Sequence, residues 1–389
     1  MLVAVVVTVL GLLAVSLVTQ LFGYRLAGTI SIPVLAVYTL KNAVTLPVSV
    51  LSAVIAFVGL SVLKDRTLVY GRDELLAAIA IGAAVPLGIL LLFDQFVPGS
   101  LRAVLFIGSI LPGLAAYNYH QLKPEYRKWD LLVSVLLFCV LFGLGYLLVS
   151  PGLRPLLGDL FPPTLYAATA DVANWRDAVV ASELQPVVLG RPVTVVLFGA
   201  AMVASEVVRD RYDVRVGVIA VGLLALYALA SVWLLVLYAV VIVVTYAVVH
   251  LLHRRTLLYG RVLIGIAGAF ALLLALPTVL ALPVQRGLSA YFVALVAGIN
   301  AYNVHVTASR YRRLVPFLQV AAFLPLLAAA RLVSRPLPRG IPQELTPVVV
   351  VVGALLTLAC LAVAERATVR RPSEEAVYRD SVLSGGGDA

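Results

Sequence analysis

Arg66-Thr67-Leu68-Val69-Tyr70-Gly71-Arg72 is written a second time in the chain, as Arg255-Thr256-Leu257-Leu258-Tyr259-Gly260-Arg261. Six of the seven positions are identical, at an offset of 189 residues. Each copy follows a long apolar run and precedes another, so each reads as a basic hinge between two buried segments. A second echo lies downstream. Ala116-Tyr117-Asn118-Tyr119-His120, followed by Tyr126-Arg127, returns as Ala301-Tyr302-Asn303-Val304-His305, followed by Tyr311-Arg312, at an offset of 185. Upstream, Gly28, Ala36 and Tyr38 map onto Gly217, Ala225 and Tyr227, again at 189. Three echoes in one order, drifting by only four residues, are the mark of a tandem duplication.

The composition sets the solvent. Of 389 residues, 62% are hydrophobic and only 12% charged, with a mean hydropathy of +1.06. Soluble chains carry about 25% charged residues, so this is a membrane protein by composition alone. A net charge of +10 raises nucleic acid as a partner. The Arg and Lys residues, however, fall in short clusters between apolar runs, the distribution of cytoplasmic loops. No folded polar surface is left to carry a nucleic-acid face, and that class is set aside. Cys139 and Cys360 sit singly inside apolar runs, without the spacing of a zinc site or a redox pair. The first run has no basic segment ahead of it and no small-residue cleavage pattern, so it reads as a retained helix.

A helix needs about 20 residues to cross a bilayer. The runs that meet or approach this predict an all-α polytopic membrane protein: two parallel repeats of about six hydrophobic helices each, plus one C-terminal helix. The expected divisions are 1–150 for the first membrane repeat and 151–192 for a Pro-broken linker. Residues 193–335 form the second repeat, 336–364 an extra transmembrane helix, and 365–389 a polar, disordered cytoplasmic tail. In the linker, Asp171 is placed to cap a short helix carrying Val172, Trp175 and Val179 on one face, either on the membrane surface or as a simple connector. Four runs are short: Gly28–Leu40, Ala103–Ala116, Gly217–Ala230 and Leu288–Asn300. Pro33, Pro112 and Gly113 are read as helix breaks there. If the hinges face the cytoplasm, most basic clusters follow them inside, and the positive-inside rule favours roughly thirteen spans with the N-terminus outside and the C-terminus cytoplasmic. Lys41, Arg331, Arg335 and Arg339 are the exceptions outside.

The residues able to do chemistry are mainly cations. Arg66, Arg72, Arg255 and Arg261, with Tyr70 and Tyr259, are candidates for contact with an anion, a polymer or a partner. Guanidinium groups suit carboxylates and phosphates by forked hydrogen bonds that Lys cannot match. Anchoring to lipid headgroups is the competing reading. Arg102 and Arg286 lie near the outer turns, where they meet an exiting anionic chain or snorkel to the surface. Asn118 would polarise the fifth run. His120 and His305 share one slot, without acidic neighbours at ligand spacing, so no metal is expected. Glu206 is the acid nearest a membrane interior, and no relay of acids crosses it. No phosphate loop, nucleophile elbow or His-Glu-x-x-His helix is written, so neither a catalytic residue nor a cofactor is expected from the chain alone.

Gly28, Pro33, Leu35-Ala36 and Tyr38, then Arg66 to Arg72, then Arg102, Pro112-Gly113-Leu114 and Asn118 together resemble the CapC/PgsC membrane subunit of poly-γ-glutamate synthases. The pattern covers about residues 10–149, and a more degraded copy covers about 195–335, with Gly222 in place of Pro33 and Ala297-Gly298 in place of Pro112-Gly113. Val34 stands where the family pattern has Gly, and Asn118 comes one position late. The resemblance implies a capsule-polymer synthesis and export complex in the plasma membrane. In it a separate soluble ATP-dependent amide ligase activates the carboxylate, while the membrane subunit docks that ligase or passes the chain outward. A stand-alone secondary transporter of small organic anions and the membrane scaffold of a transglutaminase-like system are the alternatives.

Overall fold

The computed structural model describes residues 1–92, 110–180, 191–212, 214 and 217–367. Among them there are helices and turns and no strand. In the first copy α1 is Leu2–Phe22, α2 Ser31–Lys41, α3 Thr45–Arg66, α4 Arg72–Leu92, α5 Ile110–His120 and α6 Pro124–Leu148. A linker with a short helix α7, Asp171–Trp175, follows. The second copy has α8 at Arg191–Tyr212, α9 Val218–Ala230, α10 Val232–Thr256, α11 Gly260–Ala281, α12 Gly287–Val306, α13 Ser309–Arg312 and α14 Val315–Val333; α15, Pro347–Ala367, ends the described chain. Eight of these, α1, α3, α6, α10, α11, α12, α14 and α15, are long and apolar enough to cross a membrane. The expected polar tail lies outside the described residues from 368 on.

The duplication is visible in the packing. Within the first copy the helices pair first with second, first with sixth, second with third, fifth and sixth, third with fourth and fifth, and fourth with fifth. Every one of these pairings recurs among α8, α9, α10, α11, α12 and α14. Between the copies, α1 lies along α11, and the mates of those helices meet where Ile79 of α4 packs with Phe198 of α8. Tyr38 and Tyr227, equivalent under the duplication, come close to one another near the centre.

In lipid the apolar effect does not drive helix against helix, so close packing and polar contacts must hold the bundle. Small residues supply the closeness. A Cβ on Gly113 would come within 2.3 Å of the Ala78 carbonyl oxygen, and one on its mate Gly298 within 2.9 Å of the Ala267 oxygen. Gly113 therefore does not break a helix. It lies inside continuous α5 and lets α4 and α5 touch. Pro112 falls in the first turn of the described part of that helix and Pro33 in the first turn of α2, where proline is tolerated; the interruption before α2 lies at 23–30. The run at Leu288–Asn300, expected short, extends to the 20-residue α12, because polar Tyr302, Asn303 and His305 continue the helix.

Tyr38 stacks on Phe292 with ring centres 5.4 Å apart, and Thr8 Oγ1 meets Tyr291 Oη at 2.7 Å, which ties α1 and α2 to α12. The apolar side chains of α3, α6 and α15 stay exposed, Val54, Leu136 and Val352 among them, as lipid-facing surfaces must.

The linker folds over one end of the bundle, with Val172 and Ala173 buried and Trp175 half exposed. Asp171 does not cap α7; its carboxylate accepts from the Ala43 N–H at 2.8 Å. Lys41, one of the outer exceptions to the charge rule, is buried and donates to the Thr164 carbonyl at 3.2 Å and to the Thr169 hydroxyl. Arg331 donates to the carbonyls of Pro342, Ser334 and Gln343, and Arg339 to that of Pro283. These three cations fasten loops.

Candidate functional site

Both hinges lie at one end of the molecule. Ser61 Oγ is 3.3 Å from His120 Nε2, and Gln121 Nε2 donates to Glu74 at 2.9 Å. The last turn of α5 thus sits beside the first hinge. Asn118, on that same turn, accepts from Arg261 Nη2 at 2.8 Å through its Oδ1, and Arg261 belongs to the second hinge. Arg209 at the end of α8 also comes within 3.9 Å of Asp73.

The seven-residue echo splits into an exposed part and a buried part. Leu68 and Tyr70 are 95% and 81% exposed, and their mates Leu257 and Tyr259 are 74% and 80% exposed. Arg66 and Arg255 are exposed too. Gly71 and Gly260 hold the same left-handed turn, with φ of 65° and 62°, a conformation glycine adopts without strain. Arg72 is the first residue of α4, as Arg261 is the second of α11. Arg102 lies outside the described residues. Arg286 precedes α12 at the opposite end, and burial pulls its guanidinium below the ordinary arginine range.

Arg261, the part of the echo turned inward, reaches a buried junction between α1 and α2. Gly23 to Ile30 leave the helix, and Leu26 and Ala27 take left-handed φ values of 48° and 55°, strained for residues with a Cβ. Asp130 holds this turn. Its Oδ1 accepts from the backbone N–H groups of Arg25 and Leu26 at 2.7 and 2.9 Å, and the residue is 1% exposed. Asn118 stands over Gly28, whose added Cβ would lie 2.7 Å from its Nδ2. Arg261 reaches in from the other copy, close enough to Arg25 for the two charges to repel. Its Nη1 is buried without a hydrogen-bond partner, as are Ser16 Oγ, Thr19 Oγ1 and Ser31 Oγ nearby. α11 brings Arg261 here by packing along α1 through Gly265, whose added Cβ would meet Ser16 Oγ at 2.2 Å.

The equivalent junction of the second copy is less polar. Arg25, Asp130 and Gly265 have Val214, Val315 and Leu76 as their mates. Asn303 is the echo of Asn118, yet the residue over Gly217 is Asn300, one turn earlier, whose Oδ1 would lie 2.1 Å from an added Cβ and whose Nδ2 donates to Tyr238 at 2.8 Å.

Sequence reasoning missed two sets of residues. Asp130 is one; the signal was an isolated acid opening an otherwise apolar run. The other surrounds His305. In the first copy the shared histidine is satisfied, stacked on Phe57 at 4.3 Å and bonded to the Phe57 carbonyl at 2.9 Å. In the second, Ser61 and Lys64 are replaced by His250 and His253, whose rings stand 5.5 and 4.9 Å from that of His305. Among the described residues these three do not form a metal-holding group. The Tyr-Arg echo has a plain role: Arg127 and Arg312 each donate to the carbonyl of the histidine seven residues back, at 3.5 and 2.6 Å, closing the ends of α5 and α12. Glu206 accepts from Arg209 at 3.2 Å.

A duplicated helical bundle, lipid-facing on its outer helices, with basic turns gathered at one end and an interrupted helix pair in its core, is a polytopic membrane protein. The chain belongs to the capsule biosynthesis CapC family: the family model matches residues 10–127 and again 200–313, once over each copy. No curated protein and no solved structure matches the chain.

Proposed function

We propose that this protein is the membrane subunit of a complex that makes and exports an anionic, poly-γ-glutamate-type capsule polymer. It docks a separate ATP-dependent amide ligase at its hinge end and passes the chain outward. The observation that carries the reading is the family match over both copies. The hinges support it. Leu68, Tyr70, Leu257 and Tyr259 make no packed core, yet the turn that carries them is the best-kept stretch between two copies that otherwise diverge. Exposed aromatic and arginine residues of this kind are the usual anchors of protein interfaces. The test is co-purification from the native membrane. A soluble amide ligase should accompany the wild-type chain, and Tyr70→Ala with Tyr259→Ala should deplete it more than either change alone. A chain that supports capsule formation while no ligase accompanies it would defeat the reading.

A further inference from the structure

We propose that the α1–α2 junction is an anion subsite that takes one carboxylate or phosphate group, gripped by Arg261 from the second copy against the first copy's Asn118 and Arg25. Four facts meet there. One face of the Arg261 guanidinium is spent on Asn118 at 2.8 Å, while Nη1 is buried and unpaired. A buried unsatisfied charged donor is heavily penalised, by about 1–3 kcal/mol or more, so its persistence calls for a partner. Arg25 adds a second cation. Among the described residues one carboxylate stands at the junction, Asp130, which attracts Arg261 while its Oδ1 is committed to two backbone N–H groups, so two guanidinium groups share one acid. The hydroxyls of Ser16, Thr19 and Ser31 are buried and unpaired in the same region. Guanidinium forks and hydroxyls are the donors by which proteins hold carboxylates and phosphates.

The subsite exists once because the duplication is lopsided: the mates of Arg25 and Asp130 are valines. Its occupant is either a side-chain carboxylate of the polymer, which rests on the function proposed above, or a lipid phosphate. The experiment separates them. The full chain is placed in nanodiscs of phosphatidylcholine and titrated calorimetrically with a short γ-linked glutamate oligomer and, separately, with inorganic phosphate. A parallel preparation contains phosphatidylglycerol. Binding of the oligomer should weaken by roughly tenfold to a hundredfold in Arg261→Gln, the ratio expected for hydrogen bonds to a charged group. Arg154→Gln, an exposed arginine of the linker at the other end, removes the same charge and should bind as the wild type does. If Arg261→Gln fails to fold, Arg261→Lys carries the test: it keeps the charge, loses the fork, and should bind at an intermediate strength. Phosphate or phosphatidylglycerol competing with the same dependence on Arg261 supports the subsite and assigns it to a headgroup. Anion binding that ignores both Arg261 variants, or no anion binding at all, overturns it. Ligase co-purification is measured in parallel; its failure would defeat the functional reading and leave the binding result standing.

Discussion

Asp130 and Arg261 show how two single residues shape a junction that neither helix could form alone. The backbone at Leu26 and Ala27 is held in a left-handed turn by one oxygen of Asp130, which accepts from two N–H groups at once. Successive N–H groups aimed at one oxygen form an anion-holding concavity, and here the chain fills it with its own carboxylate. Asp130→Asn keeps the shape but removes the charge, and should lower stability by roughly 1–3 kcal/mol. Asp130→Ala should do more, since it strands both donors in a buried place. Scanning fluorimetry of the detergent-solubilised chain reads this directly; an unchanged melting temperature in Asp130→Ala would mean that the turn holds itself.

At the scale of elements, the contrast between α2 and α12 shows what sequence could and could not disclose. The hinges were legible because identity at a fixed offset needs no structure. The shortness of α2 was legible too: Gly28 and Lys41-Asn42 bound an apolar run, and the helix has 11 residues, about 16 Å long and too short for a bilayer of about 30 Å. Irregular backbone at such depth is permitted only inside protein, and α2 is indeed buried almost throughout. What sequence did not disclose was pairing across the copies. Arg261 meeting Asn118 depends on α11 lying along α1, and nothing local to either residue encodes that. Gly113 was misread for a related reason. A glycine beside a proline looks like a break, whereas here the lost Cβ is what allows contact with the Ala78 backbone. Gly113→Ala should therefore push α4 from α5 and cost about 1–3 kcal/mol, as overpacking does. Gly298→Ala, with 2.9 Å in place of 2.3 Å, should cost less. Gly353→Ala in α15 has open space around the new methyl and should be neutral or slightly stabilising. Equal melting temperatures for all three would show that the tight approach at Gly113 does not govern packing.

For the whole molecule, the distribution of its free cations predicts an orientation in the bilayer. At the hinge end Arg66, Arg255 and Arg310 are exposed, Lys123 and Arg313 lie on the turns beside them, and Lys128 lies in the first turns of α6. At the other end Arg154 and Arg335 are exposed, while Lys41, Arg331 and Arg339 are tied to loop carbonyls. These last three count as fasteners and weigh little against a rule that concerns cations retained on one side during insertion. The hinge end should then face the cytoplasm, which is also where an ATP-dependent ligase would find its nucleotide. Because the two copies are parallel, both hinges must share that face. Single cysteines at Tyr70, Tyr259 and Arg154, in a chain whose Cys139 and Cys360 are replaced by alanine, test this with a membrane-impermeant maleimide. Intact cells should label only Arg154→Cys, and inverted vesicles only Tyr70→Cys and Tyr259→Cys. Labelling of the two tyrosine positions from opposite sides would contradict the parallel repeat itself. Labelling of both from outside would keep the repeat and invert the molecule, which would remove the ligase from reach of the hinges while leaving the Arg261 junction as an anion site at the outer surface.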